Sequence, residues 1–89
     1  MEFDWDAANI RHIGRHRVTP ADVEQVFTND PMTVGTQHHA EEERFLCFGR
    51  TNSGRFLTVL YTERGGKIRV VTAYPMTRSQ QRMYLTGRW

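Results

Sequence analysis

Glu63, Arg64 and Arg69 stand close together around a Gly65-Gly66 pair. Guanidinium groups at such a spacing can hold a phosphate and stabilise charge building on its oxygens. A carboxylate or an imidazole within reach could move the proton of an attacking hydroxyl. Glu63 is the carboxylate at hand, and His16 is the imidazole best placed in the sequence, at the end of an N-terminal helical pattern. Each has a plainer reading. The Glu-Arg pair also suits a salt-bridged hairpin tip, which is worth little energetically. His16 also suits the C-terminal end of a helix, where an imidazolium is favoured, and His12 reads as a surface residue of the same helix. Register decides which groups meet. A two-residue Gly65-Gly66 turn pairs Thr62 with Arg69 and puts Tyr61 and Glu63 on the opposite face. A one-residue shift places Tyr61 beside Arg69 instead.

These residues sit in a meander of three short apolar runs, 44–50, 56–62 and 68–74, separated by Asn52-Ser53-Gly54 and Arg64-Gly65-Gly66-Lys67. β-Branched and aromatic residues bounded by Gly-rich punctuation predict antiparallel strands joined by hairpins. Ahead of the meander, Glu2–Trp5 reads as a short strand and Asp6 as the cap of a helix over Ala7–His16. Thr19, Pro20 and Asp22 open a second helix with a capping box and a proline at its first position. Asn29-Asp30-Pro31 ends it, because the residue before a proline avoids helical geometry. Met32–Thr36 is a weak strand and 37–43 a solvated loop. Thr77 and Gln80 cap a last helix that Gly87 stops. The order β-α-α-β-β-β-β-α predicts an α+β fold, with a small antiparallel sheet, two N-terminal helices and one C-terminal helix.

Eighty-nine residues predict one domain spanning 1–89 with a modest core. The net charge of +2 conceals a polar chain. Residues 1–43 carry nine acids and three bases, whereas 44–89 carry one acid, Glu63, and nine bases. Eleven of the twelve bases are arginine, which suits phosphate, so the basic half points to RNA or to an acidic partner. The lone Cys47, inside an apolar strand, reads as a small buried hydrophobe. No apolar run reaches the ~20 residues of a membrane span, and the N-terminus lacks the pattern of a signal peptide, so a cytoplasmic location is expected. His38 and His39 stand beside three glutamates, but adjacent strand residues point to opposite faces and no second ligand cluster exists. No metal site and no cofactor are expected. A zinc-type cysteine pair, a phosphate loop and a nucleophile elbow are all missing from the sequence.

A chain-wide resemblance rests on motifs in a set order. They are Phe3-Asp4-Trp5-Asp6-Ala7-Ala8-Asn9, Arg15-His16, Val18-Thr19, Val26-Phe27 and Asp30-Pro31, followed by Glu42-Glu43-Arg44-Phe45 and Gly49-Arg50-Thr51. Tyr61-Thr62-Glu63-Arg64, Ile68-Arg69-Val70-Val71-Thr72-Ala73 and Met76-Thr77-Arg78, before a helix containing Tyr84, complete the series. Together they resemble the BrnT toxin family. The resemblance implies a RelE-like fold and a metal-independent ribonuclease toxin of a type II toxin–antitoxin module. It implies a BrnA-like antitoxin in a hetero-oligomer, with DNA contacted only through that antitoxin. His16 or Glu63 would carry the proton, Arg64 and Arg69 would bind the scissile phosphate, and Arg50, Tyr61, Arg78 and Arg82 would contact RNA. Three positions depart from the family: Arg17 where glycine is frequent, Tyr61 where many members have histidine, and Tyr74 where an arginine is usual. The last removes a positive charge, so a catalytically weak or inactive binding module, acting through an antitoxin–DNA complex, is the alternative.

Overall fold

A computed structural model describes residues 1–87 of the chain. Its elements run α1 (Ala7–Gly14), α2 (Pro20–Thr28), β1 (Met32–His39), β2 (Glu42–Arg50), β3 (Phe56–Arg64), β4 (Lys67–Pro75) and α3 (Arg78–Thr86). The four strands form one antiparallel sheet in the order β1-β2-β3-β4. This is the α+β arrangement anticipated from the sequence.

All three helices open on capping boxes, because each has an oxygen-bearing side chain three residues before a reciprocal partner: Asp6 with Asn9, Thr19 with Asp22 and Thr77 with Gln80. Gly87 closes α3 at φ 70°. The first helix ends two residues before His16. Its exit is made by Arg17 at φ 59°, whose N–H donates to the Gly14 carbonyl at 3.0 Å. An arginine thus adopts the left-handed geometry that glycine takes without strain.

Two other expectations need correction. Glu2–Trp5 is not a strand: Phe3 forms an isolated parallel bridge to Ile68, with Asp4 donating to the Ile68 carbonyl and Ile68 to that of Glu2. Residues 37–43 are not a loop. They are the tip of the β1–β2 hairpin, with His38 opposite Glu43 and His39 opposite Glu42, and Ala40 turning at φ 57°. Polar side chains hid this hairpin, since a strand pair with both faces partly wet needs no apolar alternation.

Helices α1 and α2 cover one face of the sheet. Ile13, Val18, Val23, Val26 and Phe27 pack there against Cys47, Leu57, Val59, Val70 and Ala73. The approach of α2 is tight: a Cβ on Gly49 would lie 2.6 Å from Val26 Cγ1. Phe27 carries the core outward, edge-on to Phe3 at 5.4 Å and to Tyr61 at 5.0 Å. Helix α3 sits on the other face and buries no residue fully. Gln80 anchors it, accepting from Thr58 Oγ1 at 2.9 Å and donating to the Tyr74 hydroxyl at 3.2 Å, while Tyr84 packs on Phe56. Since α3 covers only one end of that face, the other end stays open.

Candidate active-site cleft

The β3–β4 turn sets the face. Gly65 and Gly66 take φ of 58° and 78°, the paired left-handed geometry of a tight two-residue hairpin. The register is therefore Thr62↔Arg69, Glu63↔Ile68 and Arg64↔Lys67. By the two-residue period of a strand, Thr62, Arg64 and Arg69 share the open face, and Tyr61 and Glu63 share the core side.

On the open face, Arg44, Thr62, Arg64 and Arg69 line a cleft of about 250 Å³ together with Glu42, Val70, Val71 and, from α1, Ala8, Asn9 and His12. Strands β2, β3 and β4 supply the floor, and α1 supplies one wall. The wall is held by the α1 cap. Asn9 is buried, accepts from the Asp6 N–H at 2.8 Å and donates to the Asp4 carbonyl at 3.0 Å.

Each cleft arginine has an acidic neighbour from the chain itself. Arg69 Nη2 donates to Asp6 Oδ2 at 2.8 Å, and its Nη1 lies 3.5 Å from Asp4 Oδ2. Glu42 takes two arginines at once: Arg44 Nε reaches Oε2 at 3.1 Å, and Arg64 Nη2 and Nε reach Oε1 at 3.0 and 3.3 Å. These donors hold the Glu42 carboxyl below its usual range, Arg64 first and Arg44 second. Asp6 is lowered as well, mainly by the Asn9 backbone N–H and then by Arg69.

The expected site residues divide. Arg64 and Arg69 meet in the cleft. His16 stands just beyond α1, its ring edge-on to Tyr74 at 6.1 Å and 6.3 Å from His12. His12, one turn before His16, is the imidazole that lines the cleft. Glu63 lies apart, in a neighbouring hollow with Glu41 and Glu43. Tyr61 packs between Phe27 and Phe45 on the core side, where burial pushes its phenol up. Arg50 borders a separate hollow with Asn29 and Asn52, six residues along β2 from Arg44 or about 20 Å at strand rise. Arg78 and Arg82 are exposed on α3.

Two cleft residues, Glu42 and Arg44, were not among the expected site residues, and His12, read as a surface residue, is exposed but also lines the cleft. Extending β2 by two residues would have shown that Glu42 and Arg44 alternate onto the face of Arg64. The four-residue spacing of His12 and His16 places them on one helix face. Among the described residues, no three His, Cys, Asp or Glu side chains gather as a metal site, and no helix is long and apolar enough to cross a membrane.

Comparison with curated proteins gives no significant match. A family model described as "Ribonuclease toxin, BrnT, of type II toxin-antitoxin system" matches residues 5–80, which takes in α1, α2, the whole sheet and the start of α3. That description carries RNA as the substrate and an antitoxin as the partner. With most of its length matched, the chain belongs to the BrnT family of type II toxin–antitoxin ribonuclease toxins.

Proposed function

We propose that the chain, acting as a single RelE-like domain over 1–89, is a metal-independent endoribonuclease whose scissile phosphate enters the cleft between α1 and the sheet. One observation carries this: Arg44, Arg64, Arg69 and His12 converge on one cleft. The RNA 2′-hydroxyl attacks the adjacent phosphorus, giving up its proton to a base, and the 5′-oxygen of the next nucleotide leaves with a proton. A 2′,3′-cyclic phosphate and a 5′-hydroxyl result. The arginines stabilise the charge that gathers on the non-bridging oxygens. His12 carries the proton, with His16 beside Tyr74 as the second imidazole of the path. Glu63 contributes charge at the margin. Arg78 and Arg82 follow the flanking strand along α3, Arg50 meets RNA only beyond the cleft, and Tyr61 acts by shaping the wall behind it. A BrnA-like antitoxin neutralises the protein in a hetero-oligomer and makes any DNA contact.

The test is cleavage of a short labelled RNA by purified protein in EDTA, with His12→Ala beside it. The parent should cut in EDTA and leave cyclic phosphate ends, and His12→Ala should be slower by ~10²–10⁴-fold, the usual contribution of a general acid–base group. Activity that vanishes on chelation and returns with a divalent ion overturns the metal-independent route. A His12→Ala rate equal to the parent's removes His12 from it.

A second reading, a binding module with little catalysis, draws on the acidic partners of every cleft arginine and on Tyr74. It predicts antitoxin binding by a parent protein that leaves RNA uncut.

A further inference from the structure

We infer that Arg44 and Arg64 form a phosphate-binding pair whose seat the Glu42 carboxylate occupies when no RNA is bound. The inference rests on the cleft being where RNA binds. Two guanidinium groups repel each other, and here they converge on one small anion. Each oxygen of a single carboxylate takes a different arginine, Oε2 from Arg44 and Oε1 from Arg64. Two oxygens on one atom, shared between two arginine forks, is also how a phosphodiester presents its non-bridging oxygens. The ligand class that fits the pair is therefore a phosphate group.

Glu42 is also placed to yield. It follows directly on the Ala40-Glu41 turn at the very start of β2. Arg64 is well exposed, so its pair with Glu42 contributes little net stability; the Arg44 pair, with both side chains mostly covered, is the firmer of the two holds. A swing of the Glu42 side chain toward water leaves both guanidinium groups facing the cleft. There the incoming phosphate also meets Arg69 and His12. Glu42 is ionised at neutral pH, and the two arginines extend that charge further into acid, so the seat does not empty by protonation near pH 7. Glu42 thus sets how strongly the cleft takes RNA.

The experiment separates this from the ribonuclease reading by using a ligand that cannot be cut. A DNA oligonucleotide lacking the 2′-hydroxyl is titrated by fluorescence anisotropy into the parent, Glu42→Gln, Glu42→Asp and, as a control for net charge, Glu2→Gln. Inorganic phosphate is titrated separately while the Nε–H resonances of Arg44 and Arg64 are followed by NMR. Glu42→Gln should bind the oligonucleotide roughly 5-fold more tightly than the parent, about what releasing the more exposed of the two Glu42 pairs, that with Arg64, supplies. Its affinity should fall more steeply with salt, by about 0.7 in the log–log slope, as one more phosphate contact requires. Glu42→Asp, with a shorter reach, should lie between, and Glu2→Gln should match the parent. Phosphate should move both Nε–H signals at lower concentration in Glu42→Gln. Unchanged or weaker binding by Glu42→Gln overturns the inference, since a carboxylate that only positions the arginines would be missed on removal. A shift with free phosphate but no gain with the oligonucleotide overturns the assignment to a nucleic-acid backbone. Cleavage of RNA by the parent is scored separately, so the two readings fail independently.

Discussion

Gly49→Ala should destabilise the fold sharply, although it adds a single methyl group. The added Cβ would sit 2.6 Å from Val26 Cγ1 and 3.5 Å from both Val26 Cβ and Pro31 Cβ. An ordinary carbon–carbon contact is about 3.5–4.0 Å, so α2 must retreat by about 1 Å. Val26 has no easy way to turn aside. It is completely buried, and a β-branched residue in a helix holds essentially one χ1 rotamer. Pro31, already in contact with the added Cβ at 3.5 Å, is rigid. Overpacking of this kind costs about 1–3 kcal/mol. In a domain of this size each kcal/mol moves the melting temperature by about 4–8 °C, so a central cost of ~2 kcal/mol lowers it by roughly 8–16 °C. Gly35→Ala is the built-in control, because a Cβ there meets nothing within 4 Å. Thermal melts by circular dichroism, with Gly49→Ala, Gly35→Ala, Val26→Ala and the Gly49→Ala/Val26→Ala pair, test the reasoning. The pair should lose less than the sum of its single changes, since Val26→Ala removes the clashing atom. If Gly49→Ala melts with Gly35→Ala, α2 does not press on β2 as described, and the reasoning fails.

Two further outcomes are expected. Asn9→Ala strands the Asp6 N–H and the Asp4 carbonyl and should cost ~1–3 kcal/mol in chemical denaturation, as two partly buried hydrogen bonds are worth. RNA cleavage should fall with it, because α1 carries His12; full stability in Asn9→Ala would refute the role given to the cap. Stability should also depend on pH at both extremes. Asp6 and Glu42 titrate lower in the folded chain, so the stability they contribute is complete above their ordinary values of 3.8 and 4.5 and is lost as pH falls through the folded values. Burial raises the Cys47 thiol from 9.0 to about 12, so stability should decline as pH climbs through that window, by about 1.4 kcal/mol per unit. Denaturation midpoints measured from pH 2 to 11 check both limbs. An acid limb unchanged in Glu42→Gln, or an alkaline limb unchanged in Cys47→Ala, would count against the respective assignment.

Local chemistry was legible along the chain. The caps at Asp6, Thr19 and Thr77 depend on residues three apart, and each forms as read. The Gly65-Gly66 turn depends on neighbouring residues, and it sets the Thr62↔Arg69 register beside it. Burial of Cys47 followed from its apolar strand. Family membership was legible because it rests on an order of short motifs along the whole chain.

What depended on distant partners was not legible. The β1–β2 hairpin tip is built from polar residues, so its strands lack the apolar alternation that marks one. Reading 37–43 as a loop hid Glu42, which brings Arg44 and Arg64 together only because β2 begins two residues before Arg44. Arg69 reaches Asp6 across 63 residues of sequence, and His12 enters the cleft because α1 lies against β4. Tyr61 and Glu63, chosen for chemistry, face away from Arg64 and Arg69 because a strand turns every second side chain to the other side. The sequence by itself determined the three helices with their caps, the Gly65-Gly66 turn and the basic character of the second half, all short-range properties. Only the tertiary structure decided which charges meet. One residue of register exchanges the two faces of a strand, and the packing of α1 on β4 places an imidazole beside three arginines.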